Sequence, residues 1–386
     1  NTKEPLPRDR EARTVIARRL IAERCLYGVD LNPLAVELAK LSIWLVTLAK
    51  GRPFGFLDHN LRCGDSLLGI HRLDQLTELS MAPTGKGQQR LFGQNIEHAV
   101  QEAVKLRQQL RATPIRDIHD VEAMSRLDTD ARRALEVPER IADAFIGEVF
   151  ASGGNGTVLE NALASLTSQS GHAIDGDCDM LASIQRRSVT GLSIDLPINK
   201  PARRTFHWPL EFPEVFVGAR DGFDAVVSNP PFLGGQKITA AFGTAYRNYL
   251  VKYIANGQRG SADFCAYFFL RVSCLQRHHG MAGLLATNTI AQGDTREVCL
   301  EQLIGKGFCI PRAISSCLWP GAAALEVSEV WMWKGEWKGA YTLDGHGAIG
   351  ITPFLTSAAQ QIPQPYRLKA NGKLSYIGSI PLGAGF

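Results

Sequence analysis

The chain has 386 residues and a formal net charge of +4 at pH 7, and 45% of its residues are hydrophobic. This length and composition predict a globular protein of two or three domains with a sizeable core. No run in the sequence approaches the roughly 18 apolar residues that a membrane span requires. The mild positive charge is compatible with a nucleic-acid partner.

The eight cysteines are spread along the chain, and none of them forms a Cys-x-x-Cys pair. This spacing argues against a zinc ribbon, and we expect no bound metal. Cys265 and Cys274 lie in apolar runs, where a buried free thiol is the ordinary interpretation. Free thiols at this density indicate a reducing compartment, so we expect a cytoplasmic protein.

Strand and helix signals alternate over the first 65 residues. Residues 8–24 carry apolar side chains at helical spacing, and the apolar run that follows them ends at Asp30. Pro33 opens a strongly apolar helix that is predicted to reach about Lys50, and residues 61–65 form a short strand with its exit turn. This alternation predicts an α/β fold with a doubly wound, mostly parallel sheet.

Residues 71–205 interrupt the alternation. A loop is predicted at Gly85–Gln88, an amphipathic helix at Ile96–Gln109, and a second helical stretch over about 117–150. Residues 151–200 are rich in Ser, Gly and Asp without a sustained period, which predicts a loosely structured connection. The whole segment is therefore predicted to be a helical insertion.

The alternation returns after Arg204. A strand is predicted at Phe223–Ser228, and Ser261 is the predicted N-cap of a helix that runs to Arg277. Further predicted elements follow in order: a buried strand at 281–287, a helix from Asp294 to near Gly307, and a closing pair of strands at 310–315 and 327–333.

The strongest motif is Asn229-Pro230-Pro231-Phe232, which directly follows the strand predicted at residues 223–228. An amine conjugated to a ring is a poor nucleophile because its lone pair is delocalised. The Asn229 side-chain oxygen and the Pro230 carbonyl would accept its hydrogens and localise that lone pair, while the prolines fix the loop. Phe232 offers an apolar face for an extruded base. The loop is therefore predicted to be catalytic, with a simple Pro-Pro turn as the structural alternative.

Two carboxylates follow the strands that precede this loop. Asp30 could accept hydrogen bonds from the ribose hydroxyls of an adenosyl group, and Asp65 could accept one from its adenine amine. Each also has a structural interpretation, as a helix N-cap at Asp30 and as an Asx turn at Asp65. Their order on successive strand ends before the Asn-Pro-Pro-Phe loop favours a cofactor-binding role for both.

These motifs resemble those of the adenine-N6-specific DNA methyltransferases, most closely those of type IIG restriction-modification systems and of BREX and DISARM phage defence. The resemblance implies a class I methyltransferase fold, Rossmann-like with a helical insertion, and S-adenosylmethionine as cofactor. It implies methyl transfer to N6 of an adenine flipped out of double-stranded DNA, with other restriction or phage-defence subunits as candidate partners. The segments that carry it are Tyr27–Lys40, Asp58–Ser66, His207–Phe216, Asn229–Gly235, Gly260–Phe264, Thr287–Thr289, Gly293–Arg296 and Trp319–Gly321.

The resemblance also implies a division of the chain and a set of roles. The segments are a cofactor-binding part at 1–70, the insertion at 71–205, a catalytic part at 206–340, and an approach to target recognition at 341–386. The implied catalytic residues are Asn229, Pro230, Pro231 and Phe232. The implied cofactor-binding residues are Asp30, Leu31, Asp65, Ser66 and Asn229. The residues expected to meet DNA phosphates are Lys237, Arg247, Lys252 and Arg259, although Tyr246, Tyr249 and Tyr253 between them also suit a solvated amphipathic helix.

The family pattern includes a Gly-rich loop between a strand and a helix, which wraps the methionine half of the cofactor. Its expected place is before residue 10, so the residues printed here are expected to lack that first strand and loop and to bind cofactor weakly on their own. Ser152–Gly156 is the one Gly-rich cluster of comparable composition. It follows a predicted helix rather than a strand, and we interpret it as a connection.

Two other functions fit the same motifs. Enzymes that methylate a glutamine amide in proteins use a similar Asn-Pro-Pro-aromatic loop, because an amide nitrogen is also conjugated. Those enzymes are compact, so the long insertion and the Leu-Gly-Gly after the loop favour a DNA enzyme. A non-catalytic DNA-binding or scaffold subunit is the other alternative, and the intact loop and both carboxylates argue against it.

Overall fold

The computed structural model describes residues 8–48, 53, 55–83, 92–217, 221–319 and 325–359. The predicted loop at Gly85–Gln88, part of the Trp319–Gly321 segment and most of the expected C-terminal segment lie outside these ranges. The described part is a mixed α/β protein. None of its helices is long and apolar enough to cross a membrane.

The strands form two separate sheets. They are β1 Gly28–Asp30, β2 Leu61–Cys63, β3 Phe223–Ser228, β4 Gln276–Thr287, β5 Phe308–Leu318, β6 Glu326–Lys334, β7 Tyr341–Leu343 and β8 His346–Ala348. β1 and β2 make a parallel pair, and the other six strands have the order β3-β4-β6-β5-β7-β8. The prediction of a mostly parallel sheet needs correction. Three strand pairs are parallel and three are antiparallel in the described chain.

The helices follow the predicted order around these sheets. They are α1 Arg10–Arg24, α2 Pro33–Val46, α3 Asp74–Thr77, α4 Gly93–Ala112, α5 Ile118–Ala151, α6 Gly156–Ile174, α7 Cys178–Leu192, α8 Trp208–Glu211, α9 Pro213–Phe216, α10 Gly235–Phe242, α11 Thr244–Tyr249, α12 Phe264–Leu275, α13 Gly293–Arg296 and α14 Gln302–Gly305. The chain continues from α11 and α13 through π-helical turns at Leu250–Ile254 and Glu297–Glu301.

Local chemistry explains where α2 begins. The Asn32 side chain accepts the Leu34 N–H, and Pro33 occupies the first helical turn, where its missing N–H is not needed. The inward face of α2 packs Val36 onto Leu57 and Leu61 beside β2. Its outward face is also apolar, since Leu34, Leu38, Leu41 and Leu45 are each about half exposed or more.

The segment after α5 is more ordered than its composition predicts. Residues 151–200, expected to be a loose connection, contain α6 and α7, and the two helices pack on α5. Asn155 and Asp177 cap them by accepting backbone N–H groups, and Leu166 and Ile184 are fully buried. Many Ser, Gly and Ala residues between these anchors hide the helical period. Ser152–Gly156 connects α5 to α6, as expected.

The start of α12 is a second correction. Asp263, not Ser261, is its N-cap, because the Asp263 carboxylate accepts the Cys265 N–H at 3.0 Å. The helix ends at Leu275, and β4 starts at the next residue, five positions earlier than the strand predicted at 281–287. The closing antiparallel pair was correctly predicted, and it is longer at both ends in β5 and β6.

Candidate functional site

A cavity of about 690 Å³ lies where β1, β2 and β3 end. Its volume is within the range of small-molecule and cofactor sites. It extends between β1 and β3, which pair only with β2 and β4 respectively in the described chain, and Val227 on β3 is 90% exposed. The predicted site residues that line it are Asp30, Leu31, Asp65, Ser66, Asn229, Pro230 and Pro231.

Asp30 stands exposed at the end of β1. Its Oδ1 atom accepts the Asn32 N–H at 2.7 Å, which holds the carboxylate over the turn into α2. The helix cap itself is Asn32, so the N-cap interpretation of Asp30 is not what the structure shows. A carboxylate held at a strand end beside a cavity retains acceptor capacity for a ligand's hydroxyl groups.

Asp65 is more enclosed, just beyond the end of β2. Its Oδ1 accepts the Leu67 N–H at 3.0 Å, and its Oδ2 accepts the Tyr246 hydroxyl at 2.7 Å. Burial raises the pKa of Asp65, and the hydrogen bonds from Tyr246 and from the backbone of Leu67 and Leu68 oppose that shift. The Asx-turn interpretation is therefore correct for one oxygen, while the other points to a side chain far along the sequence.

The Asn-Pro-Pro-Phe loop follows β3 as predicted. Asn229 and Pro231 are exposed and Pro230 is buried. All three line the cavity, so the predicted amine-binding atoms share it with Asp30 and Asp65. Phe232 is different, because it is partly buried and packs against the main hydrophobic core instead of lining the cavity.

The segment before α12 holds this loop in place. The Phe264 N–H donates to the Leu233 carbonyl at 2.8 Å, and the Leu233 N–H donates to Asp263 Oδ1 at 3.4 Å. Gly235 touches the same segment so closely that a Cβ atom there would lie 2.4 Å from the Ser261 carbonyl carbon. Asp263 thus positions the loop.

Several cavity residues had no sequence signal. An aromatic wall is formed by Phe242, Tyr246, Phe264 and Phe268. Arg271 on α12 is only 3% exposed, donates to the Leu67 carbonyl at 2.7 Å, and places a buried positive charge near Asp65. The aromatic spacing along α10, α11 and α12 could have indicated one face of a site, but it is equally typical of a core.

Of the four cations expected at DNA, Lys237, Lys252 and Arg259 are exposed and Arg247 is partly buried. Arg247 donates to the Tyr267 hydroxyl at 2.7 Å and to the Gly260 carbonyl, and Lys252 donates to the Gly154 carbonyl at 3.1 Å. Arg247 therefore holds neighbouring parts of the chain together, a structural role that the sequence did not predict.

The tyrosines between these cations do not form a solvated face. Tyr246 and Tyr249 are 1% and 2% exposed and belong to the main core. The Tyr249 hydroxyl accepts the Gly69 N–H at 3.3 Å and lies 3.2 Å from the Gly69 carbonyl. The segment is therefore amphipathic, with Tyr246 and Tyr249 on its buried face and Asn248 and Lys252 exposed.

The carboxyl ends of parallel strands are where α/β proteins bind ligands, and the cavity lies at this place. The sequence profile of the Eco57I restriction-modification methylase family matches residues 24–303, and the chain belongs to this family. No curated protein sequence matches the chain.

Two solved structures show similarity to parts of the chain. One is the type IIL restriction-modification enzyme MmeI in complex with DNA, at 16% identity and a TM-score of 0.32, covering 46% of this chain and 26% of MmeI. The other is a putative class I S-adenosylmethionine-dependent methyltransferase from Listeria monocytogenes, at 12% identity and a TM-score of 0.24, covering 63% and 90%. The match thus spans about a quarter of the MmeI chain.

Proposed function

We propose that this restriction-modification methylase transfers a methyl group from S-adenosylmethionine to the N6 amine of an adenine in double-stranded DNA. The observation that carries the proposal is the shared cavity, which brings Asp30, Asp65 and the Asn229–Pro231 segment together at three strand ends. The membership of the Eco57I family supports DNA as the substrate. The proposed fold is the Rossmann-like class I methyltransferase fold with a helical insertion.

The cavity has the chemistry that an adenosyl group requires. Asp30 offers carboxylate oxygens at an exposed strand end, which suits two ribose hydroxyls. Asp65 offers acceptor capacity beside an aromatic wall that includes Phe242 and Phe264, which suits the amine edge and faces of a purine. Leu31 and Ser66 complete this proposed cofactor side. S-adenosylmethionine supplies an electrophilic methyl group when it is bound.

The Asn-Pro-Pro-Phe loop prepares the nucleophile. The Asn229 side-chain oxygen and the Pro230 carbonyl accept hydrogen bonds from the target amine and turn its lone pair out of conjugation. Pro230 and Pro231 fix φ, so the two acceptors are held in place before the base arrives. The amine is positively charged after transfer and loses a proton readily, so this loop needs no general base of shifted pKa.

The target base must leave the duplex to reach this loop. In the proposed function Phe232 stacks against the extruded adenine, and its partly buried position then requires either a small rotation or stacking through its exposed edge. Lys237 and Arg259 remain exposed near the loop and are the proposed phosphate contacts on this surface. We place the activity in restriction-modification or phage defence, in the cytoplasm, with residues 341–386 as the approach to target recognition.

The experiment that tests this proposal follows a radioactive methyl group from the cofactor to its acceptor. The protein is incubated with S-adenosylmethionine carrying a tritiated methyl group, together with unmethylated duplex DNA and a mixture of unmodified proteins. We expect label in the DNA fraction and none in the protein fraction. Label in glutamine of the protein fraction would replace the proposal with protein methylation, and no transfer to either fraction would leave a binding or scaffold role.

A further inference from the structure

The Tyr246 hydroxyl makes one hydrogen bond that joins two distant parts of the cavity. It donates to Asp65 Oδ2 at 2.7 Å across 181 sequence positions. Asp65 follows β2 on the proposed cofactor side, and Tyr246 lies on α11, in the helical segment that follows the Asn-Pro-Pro-Phe loop. Both residues line the cavity, so this bond lies at its wall and not in a remote part of the core.

The surroundings of Tyr246 allow its ring no freedom. The residue is 1% exposed, and its ring stacks on Phe242 with centroids 5.1 Å apart. Phe150 contacts it edge-on at 6.4 Å, and the Arg203 guanidinium lies 5.9 Å from the ring centre. Because these neighbours hold the Tyr246 ring, its hydroxyl has a defined position, and the hydrogen bond that it donates restricts the orientation of the Asp65 carboxylate.

We propose that Tyr246 is a positioning residue, which holds the Asp65 carboxylate in the orientation that accepts the exocyclic amine of the cofactor's adenine. This inference rests on the proposed function, because it assigns Asp65 to the adenosyl group. The Leu67 N–H donates to Asp65 Oδ1 and the Tyr246 hydroxyl donates to Oδ2. Each of these oxygens has a second lone pair that can accept a hydrogen bond from a ligand. Tyr246 touches Asp65 and not the reacting atoms.

Charge supports the same assignment. Asp65 faces Arg271 and Arg203 as charged groups, and Tyr246 and Tyr249 as titratable hydroxyls. Burial raises the pKa of Asp65, and the bond from Tyr246 is the foremost opposing influence, ahead of the backbone bonds and the charge of Arg271. Loss of the hydroxyl therefore raises the pKa of Asp65 further. A protonated Asp65 would present a donor to an amine that is itself a donor.

The chain offers a matched control. Tyr249 on the same helix is 2% exposed, and its hydroxyl bonds the backbone of Gly69 instead of Asp65. Tyr246→Phe and Tyr249→Phe thus each remove one buried hydroxyl and keep the ring. Only the first substitution removes a hydrogen bond from the Asp65 carboxylate.

The test uses two probes by calorimetry, S-adenosylhomocysteine and its 6-oxo analogue S-inosylhomocysteine, from pH 6 to pH 8.5. We expect Tyr246→Phe to lose about tenfold or more in affinity for S-adenosylhomocysteine relative to the 6-oxo analogue, because the carboxylate that accepts the 6-amine is no longer held. Tyr249→Phe should keep the unaltered affinity ratio between the probes. General destabilisation would weaken both probes equally and leave that ratio unchanged.

The outcomes separate the two claims. Equal S-adenosylhomocysteine binding by Tyr246→Phe and the unaltered protein, or an unchanged ratio between the probes, overturns the role of Tyr246 and leaves the proposed function standing. The measurement uses the full-length protein, and its failure to bind S-adenosylhomocysteine at any pH overturns the proposed function, and the inference with it.

Discussion

Replacement of Gly235 by alanine gives the sharpest structural prediction, because the added Cβ atom would clash with the backbone of Ser261 and Ala262. An added Cβ atom would lie 2.4 Å from the Ser261 carbonyl carbon and 2.5 Å from the Ala262 carbonyl oxygen. Carbon atoms pack at about 3.5–4.0 Å, so the segments must separate by roughly 1 Å. We expect Gly235→Ala to lower the free energy of unfolding by about 1–3 kcal/mol.

The same displacement moves the atoms that we propose to be catalytic. The Asn-Pro-Pro-Phe loop is tied to this segment through Leu233, so a shift of about 1 Å there should reduce the rate of methyl transfer by about 100-fold. Gly234 is the control, because an added Cβ atom meets nothing within 4 Å and its φ of −55° suits alanine. Urea denaturation and single-turnover transfer would measure both variants. Equal stability and equal rates for the two variants would refute the close-contact reasoning.

Three further predictions concern charge and capping. Burial and two neighbouring carboxylates raise the pKa of Glu139 to about 8. Between about pH 4.5 and pH 8 the folded protein therefore keeps a proton that the unfolded chain has released. The free energy of unfolding falls as the pH rises through this range. Glu139→Gln should remove that fall and stabilise the protein at pH 8 by about 1–2 kcal/mol in thermal melts, and an unaltered pH dependence would contradict the assignment. Asp263→Ala should cost about 1–2 kcal/mol of unfolding free energy through the lost cap of α12, and Asp263→Asn should cost less because its oxygen can still accept. An Asp263→Ala variant as stable as the unaltered protein would show that the cap is unimportant. Lys237→Ala should reduce the salt dependence of DNA binding without changing the melting temperature, because Lys237 is exposed. Arg247→Ala should lower the melting temperature, because Arg247 bonds Tyr267. The reverse pattern would make Arg247 the phosphate contact and Lys237 the structural residue.

Residues that act through their immediate neighbours were predictable from the sequence. Asn32 and Pro33 place the start of α2, and the apolar run at Phe223–Ser228 gives β3. Because parallel strands carry their ligand-binding residues at the same end, the order of Asp30, Asp65 and the Asn-Pro-Pro-Phe loop also predicted that they share a cavity.

Contacts between distant segments were not predictable in this way. The bond from Tyr246 to Asp65 spans 181 positions, and the spacing of tyrosines along α11 resembles a surface helix as much as a core helix. The order in α6 and α7 was missed because Ser, Gly and Ala pack closely at helix interfaces yet carry little hydrophobic period. Gly191 illustrates this, since an added Cβ atom would lie 2.3 Å from the Gly147 carbonyl oxygen on α5.

The role of Asn229 in methylating adenine is the central claim, and nucleoside analysis tests it most directly. The protein, its Asn229→Ala variant and the control Asn248→Ala, which alters an exposed residue of α11, are each incubated with S-adenosylmethionine and unmethylated duplex DNA. The DNA is then digested and N6-methyladenine is measured by mass spectrometry. We expect N6-methyladenine from the unaltered protein and from the control, and none from Asn229→Ala. Undiminished N6-methyladenine from Asn229→Ala, or methylation of a different base, would contradict it.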